Sequence, residues 1–171
     1  MKYLPDIYKK NIFEINYDKL KKKNIRCLIF DLDNTLALID SIKVEDKVKG
    51  LITKLKKDFM VIIVSNSPKK RVSLFGNDLG VEYYSFALKP TISTLKKIKS
   101  KHNLESCDIA IIGDQFITDM GYGYNGKITK VFVDPLAVKD LKITNINRYL
   151  EGKIISKYSK NNLFEKGKYY G

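Results

Sequence analysis

Residues 25–35 read IRCLIFDLDNT. The first six are mostly apolar, with β-branched Ile25 and Ile29, which suits a strand buried on both faces. Asp31-Leu32-Asp33-Asn34-Thr35 follows at once. In an extended chain, residues two apart point the same way. Asp31 and Asp33 therefore aim two carboxylates at one spot beyond the strand's end, while Leu32 turns back toward the core. Two close carboxylates repel unless one takes a proton or a cation sits between them. Oxygen-rich acidic clusters suit Mg²⁺, and a carboxylate can attack phosphorus to form an aspartyl-phosphate. Taken alone, the stretch reads equally well as a strand ending in a solvated acidic turn, because short motifs recur by chance.

The chain on either side tips that balance. Val44, Val48, Leu51, Ile52 and Leu55 recur at helical spacing. The apolar run 59–64 predicts a second buried strand, ending at Ser65-Asn66-Ser67. Pro68 fits the start of a helix over 69–79, closed by Gly80. Residues 81–86 predict a third strand, followed by Lys89-Pro90. A helix then turns Ile92, Leu95 and Ile98 inward and Lys96, Lys97, Lys99 and Lys101 outward. A fourth strand over 109–112 ends at Gly113-Asp114, a short helix is expected near 118–124, and a fifth strand over 128–133. Five short buried strands alternating with helices predict an α/β fold, a doubly wound, Rossmann-like parallel sheet. Ligands of such sheets bind beyond the carboxyl ends of the strands.

The expected organisation is one domain over 1–171. Residues 1–24 form a lead-in packed on it, and residues 141–171 form a basic helical tail. Ile146, Leu150, Ile154 and Tyr158 recur every fourth position in that tail, beside Arg148, Lys153, Lys157 and Lys160. Such a helix either packs on the sheet, the favoured reading, or lies on anionic lipid. Residues 160–171 are expected to fray.

Composition narrows the setting. The 171 residues are 44% hydrophobic and 30% charged, ordinary for a globular protein. No apolar run approaches membrane-spanning length, and MKYLPDIYKK lacks a signal-peptide core. With only Cys27 and Cys107, and Cys27 inside the first strand, a cytoplasmic, disulfide-free protein is expected. The net charge of +13 attracts nucleic acid, anionic lipid or phosphorylated substrates, or marks only a lysine-rich surface.

The polar residues fall where the fold would place a ligand. Strand one ends in Asp31 and Asp33, strand two in Ser65, strand three leads to Lys89, and strand four ends in Asp114, with Asp119 shortly after. Each has a plain explanation alone: Ser65 as a helix cap, Lys89 as one of many lysines, Gly113-Asp114 as a turn. In this order they resemble the four motifs of the haloacid dehalogenase superfamily of phosphatases: DLDNT at 31–35, VSN at 64–66, Lys89 in ALKP, and GDQFITD at 113–119. The chain is more closely similar to the cap-less subclass IIIA, YqeG-type family, through LPDIY, SNS followed by KKRV, LKP, GDQ-x-x-TD and VDPL…ITNINRYLE. The likeness extends to the mitochondrial phosphatase of phosphatidylglycerophosphate. Two features depart from the pattern. Ser67 stands where Asn is frequent, and the loop after Thr35 reads LALID. Neither is expected to touch the chemistry.

The resemblance implies roles. Asp31 is the nucleophile, and Asp33 the general acid and then base. Mg²⁺ is held by Asp31, the Asp33 backbone carbonyl and Asp114. Phosphate is held by Ser65 and Asn66 at a helix start, and Lys89 neutralises the transferring group. Thr35 and Asp119 are supporting residues. Neither the interval between Asp31 and Ser65 nor that between Ser65 and Lys89 has room for a cap domain. The site should be open, which suits a phosphate carried on something large or on a membrane. Lys69, Lys70 and Arg71 would draw an anionic surface toward it. The expected substrate is a phosphomonoester, with phosphatidylglycerophosphate first and peripheral contact with an anionic membrane. A phosphate on nucleotide, nucleic acid or phosphoprotein is the alternative, although no aromatic stacking platform stands out. A non-enzymatic scaffold or ribosome-associated module comes last.

Overall fold

The computed structural model describes residues 2–137 and 144–171, and the side chains of all of these except residues 144–149. The Ile146 and Arg148 side chains and the start of the expected tail, residues 141–143, lie outside the described residues. In chain order the elements are β1 (Ile7–Lys9), α1 (Tyr17–Lys22), β2 (Cys27–Phe30), α2 (Asp46–Leu55), β3 (Met60–Val64), α3 (Lys69–Leu79), β4 (Glu82–Tyr84), α4 (Ser93–His102), β5 (Ile109–Gly113), α5 (Gly121–Gly126), β6 (Thr129–Val133) and α6 (Thr144–Lys160). The fold is α/β. The strands form one parallel sheet in the order β1-β6-β5-β2-β3-β4.

Alternation along the strands divides the core between the two faces. Leu28, Phe30, Val61, Ile63, Ala110 and Ile112 pack with Leu20 of α1, Val48 and Ile52 of α2 and Val72 and Phe75 of α3. Cys27, Ile29, Ile62, Val64, Ile109 and Ile111 pack with Leu95 and Ile98 of α4 and Tyr122 of α5. Strands buried on both faces explain why these runs read as continuous apolar stretches.

Among the described residues the sheet has six strands, not five. The sixth comes from the lead-in, where Ile7, Tyr8 and Lys9 pair with Val131, Phe132 and Val133. Three residues with no alternation give a sequence reader little to recognise. The expected fraying of residues 160–171 is also corrected. Tyr8 N–H donates to Tyr170 O at 3.0 Å and Tyr170 N–H to Tyr8 O at 2.9 Å. Phe164 is buried among Tyr8, Phe116 and Phe132. The segment thus docks on the outer edge of β1, covering an edge that would otherwise offer unpaired backbone groups. Helix α6 packs through Ile154, Ile155 and Tyr158, while Leu150 is exposed. Ile154 and Tyr158 of the every-fourth-residue stripe thus face the domain, joined by Ile155, and Leu150 does not. Between β2 and β3 the chain has room only for a loop and α2, and between β3 and β4 only for α3. Neither of these intervals holds an inserted domain.

Candidate active site

Strand β2 lies at the centre of the sheet, between β5 and β3. Asp31 N–H continues the ladder to Ile112 O at 2.9 Å, so the Asp31 side chain leaves from the last paired position. Lys89 arrives from the loop after β4. Its buried ammonium donates to Asp31 Oδ1 and Asp119 Oδ1, each at 2.6 Å. The Asn66 carboxamide fixes the backbone that carries it. Lys89 N–H donates to Asn66 Oδ1 at 2.7 Å, and Asn66 Nδ2 donates to Lys89 O at 3.1 Å. The Asn66 side chain thus braces the backbone of the lysine.

Asp114 ends β5 and accepts from Thr35 Oγ1 at 2.9 Å. A π-helical turn over Phe116–Met120 then brings Asp119 back beneath it. Asp119 Oδ2 accepts from Gln115 N–H at 3.1 Å, so both of its oxygens have partners. Gly113 makes this approach feasible, because a Cβ there would sit 2.3 Å from Asp119 Cγ and Oδ2. Carboxylate oxygens of Asp31, Asp114 and Asp119 all lie within 4.8 Å of one another, and all three residues are buried.

Three carboxylates facing one ammonium leave excess negative charge away from water. Burial pushes the Asp31 carboxyl up to about 7, against the pull of Lys89 and helped by Asp119. Burial, with Asp31 and Asp119 nearby, holds Asp114 well above the usual carboxylate range. Burial alone would lower the Lys89 ammonium, but Asp119 and Asp31 outweigh it and the net shift is upward. The cluster is short of positive charge and offers hard oxygen donors, which fits a divalent cation such as Mg²⁺.

Asp33 occupies different surroundings. Ser67 Oγ donates to its Oδ2, and Arg71 Nε donates to its Oδ1 at 2.6 Å. The same guanidinium donates from Nη1 to Ser41 O at 2.7 Å and from Nη2 to Leu38 O at 2.8 Å, and lies over the Phe75 ring. Two expectations change here. Arg71 is engaged with Asp33 and the 38–41 loop rather than offered to an anionic surface, whereas Lys69 and Lys70 are exposed. Both departures from the family pattern also touch this carboxylate, Ser67 directly and the LALID loop through Arg71. Ser65, buried at the end of β3, accepts from Ser67 N–H at 3.2 Å. The sequence marked Arg71 only as one of several basic residues. Its spacing of one turn from Ser67 on the same helix start was the available signal.

Comparison with known proteins agrees with this geometry. Residues 1–136 match the model of the family described as mitochondrial PGP phosphatase. The chain is 36% identical over 155 residues to a probable phosphatase, YqeG, of Bacillus subtilis, covering 90% of each chain. It is 23% identical over 144 residues to a phosphatidylglycerophosphate phosphatase 1, chloroplastic/mitochondrial, of Arabidopsis thaliana, covering 78% of this chain and 41% of that protein. A crystal structure of an uncharacterized protein from Listeria monocytogenes serotype 4b shares the fold at a TM-score of 0.55 and 13% identity, over 74% of this chain and 97% of that one.

Proposed function

The chain belongs to the PGP phosphatase family and is a phosphatase of the haloacid dehalogenase, YqeG type, and from that premise we propose a Mg²⁺-dependent hydrolase that acts on a lipid-borne phosphomonoester through Asp31. The observation that carries this reading is the buried set of Asp31, Asp114 and Asp119 around the Lys89 ammonium.

Asp31, the Asp33 backbone carbonyl and Asp114 would hold the cation, which screens nucleophile and phosphate from each other and orients them. An Asp31 carboxylate oxygen attacks phosphorus, and the bond from phosphorus to the leaving oxygen breaks. Asp33 gives that oxygen its proton, so an alcohol departs and Asp31 carries the phosphoryl group. Asp33 then takes a proton from water as the water attacks phosphorus. The bond from Asp31 to phosphorus breaks and inorganic phosphate leaves. Lys89 offsets charge on the transferring group. Ser65 and backbone N–H groups at the start of α3, that of Asn66 among them, receive phosphate oxygens. Asp119 and Asn66 hold Lys89 in place, and Thr35 orients Asp114.

Phosphatidylglycerophosphate is the substrate we favour. Support comes from the family, the activity for which the plant relative is named, the lack of an inserted domain between β2 and β3 or between β3 and β4 and the net charge of +13. The test is phosphate release from short-chain, monomeric phosphatidylglycerophosphate with and without Mg²⁺, beside an Asp31→Asn control. Metal-dependent release that the variant lacks is the expected result. Turnover confined to soluble sugar or nucleotide phosphates would overturn the lipid assignment and leave the hydrolase.

A further inference from the structure

Among the described residues, the three most exposed large apolar side chains are Ile42 at 80%, Leu88 at 68% and Phe86 at 60%. All three stand on loops that follow strands β2 and β4, at the carboxyl edge of the sheet, the side on which Asp31 and Asp114 lie. Leu136, 44% exposed, joins them from the loop after β6. Scattered exposed apolar residues are normal, but a group gathered around one opening marks an interaction surface.

Hydrogen bonds tie these loops to each other and to the site. Phe86 N–H donates to Ser67 O at 3.1 Å, and Thr91 N–H to Leu88 O at 2.9 Å. The Asn66 bonds fix Lys89, the neighbour of Leu88. Arg71 holds Ser41, the neighbour of Ile42. Leu136 N–H donates to Asn34 O at 2.9 Å. Phe86 and Leu88 also have left-handed backbones, with φ of 46° and 55°. That conformation is unusual for bulky side chains and persists where surroundings enforce it. The loop between β4 and α4 therefore holds two large apolar groups outward in a fixed pose, flanking the lysine of the site.

The charge beside this rim selects the partner. Lys43, Lys69 and Lys70 are exposed on the same loops and helix start, against the exposed carboxylates Asp40, Glu45 and Asp46, of which Glu45 is paired with Lys47. Apolar tips among lysines suit the interface of an anionic bilayer, where side chains such as Phe and Leu enter the acyl boundary and ammonium groups meet headgroups. We infer that Ile42, Phe86, Leu88 and Leu136 form a rim that docks the open mouth of the site on an anionic membrane, with Lys43, Lys69 and Lys70 meeting the headgroups. This rests on the reading of the substrate as lipid-borne. It gives that substrate a path into the site with its acyl chains still in the bilayer.

The test uses the double variant Phe86→Asn/Leu88→Asn. Asn tolerates a left-handed backbone, so the loop keeps its shape while losing its apolar tips. Binding is read by flotation with vesicles of phosphatidylcholine containing phosphatidylglycerol, and with phosphatidylcholine alone. The protein should float with the anionic vesicles only, and the variant should bind about tenfold or more weakly. Turnover of vesicle-borne phosphatidylglycerophosphate should fall in parallel, while turnover of its monomeric short-chain form stays within about twofold. Variant binding equal to that of the parent protein would overturn the rim, as would a parent protein that ignores vesicles. A variant that changes the oligomeric state without changing vesicle binding would assign the rim to a second copy of the chain and overturn the membrane. Failure on the monomeric lipid would instead strike the substrate reading, whatever the flotation shows.

Discussion

Asp31 and Asp33 are two residues apart on one strand end, and the structure gives them opposite surroundings. Asp31 is buried with Asp114 and Asp119 and shares one ammonium with Asp119. Asp33 is partly open and held by a hydroxyl and a guanidinium that also grips the next loop. Alternation along the strand would send both carboxylates to one place. The turn at Asn34, with φ of 63° and its N–H bonded to Ala37 O at 2.7 Å, redirects the chain just after Asp33. Two like groups in unlike environments is the arrangement by which one pair of carboxylates serves two roles.

The contrast is open to experiment, most forcefully at Asp31. Asp31→Asn should cut release of phosphate from an aryl phosphomonoester by at least about 10⁴-fold, as removal of a nucleophile does; a variant retaining a tenth of the activity would end the distinction. Asp33→Asn should lower turnover of an alkyl phosphate by about 10²–10⁴-fold. Its effect on an aryl ester, whose leaving group needs no proton, should be much smaller. Equal losses on both esters would deny Asp33 its acid role.

Weaker perturbations probe the supports of each group. Gly113→Ala would drive a methyl into Asp119. It should cost about 1–3 kcal/mol of stability by denaturant titration and lower turnover through Lys89, with no preference between esters. Arg71→Ala should cost about 1–3 kcal/mol and, unlike Gly113→Ala, reduce alkyl turnover more than aryl. Arg71→Lys should rescue little, since an ammonium cannot reproduce three N–H groups aimed at Asp33, Ser41 and Leu38.

The smallest effect concerns proton binding at Asp31. An unfolded Asp titrates near 3.9, whereas burial holds Asp31 up to about 7. Between about pH 4 and pH 7 the metal-free folded protein keeps a proton that the unfolded chain has lost, so this group's contribution to stability falls as pH rises. Mg²⁺ competes with that proton. The rise in Tm on adding Mg²⁺ should therefore be larger at pH 7.5 than at pH 5 by a few degrees, and Asp31→Asn should shrink the difference, leaving the part that Asp114 contributes. A pH-independent Mg²⁺ effect in the parent protein would contradict it.

Much of this architecture is legible in the sequence because parallel strands are continuous apolar runs and their ends are where polar residues collect. The strands at 27–30, 60–64 and 109–113 and the helix at 69–79 declare themselves that way. So does the meeting of Asp31, Lys89, Asp114 and Asp119. What stayed hidden depends on partners distant in sequence. β1 is recognisable only beside β6 and Tyr170. Asn66 and Arg71 carry side chains suited to phosphate, and only the folded loops turn one to a lysine's backbone and the other to Asp33. Gly113 is an ordinary turn glycine until Asp119 is seen against it.

The central position of β2 has a consequence for how the protein comes apart. Amide hydrogens of Ile29, Ile62 and Ile111 lie on strands paired on both sides, whereas β4 closes one edge of the sheet and β1 the other, backed there by the bridge between Tyr8 and Tyr170. Edge strands exchange with solvent by local opening, while central ones wait for cooperative unfolding. The β1 edge also carries the cluster of Tyr8, Tyr169 and Tyr170 around it. On gentle denaturation, tyrosine fluorescence from that edge should change before the slow-exchanging centre yields. The strand that leads into Asp31 would then be among the last parts of the molecule to lose its shape.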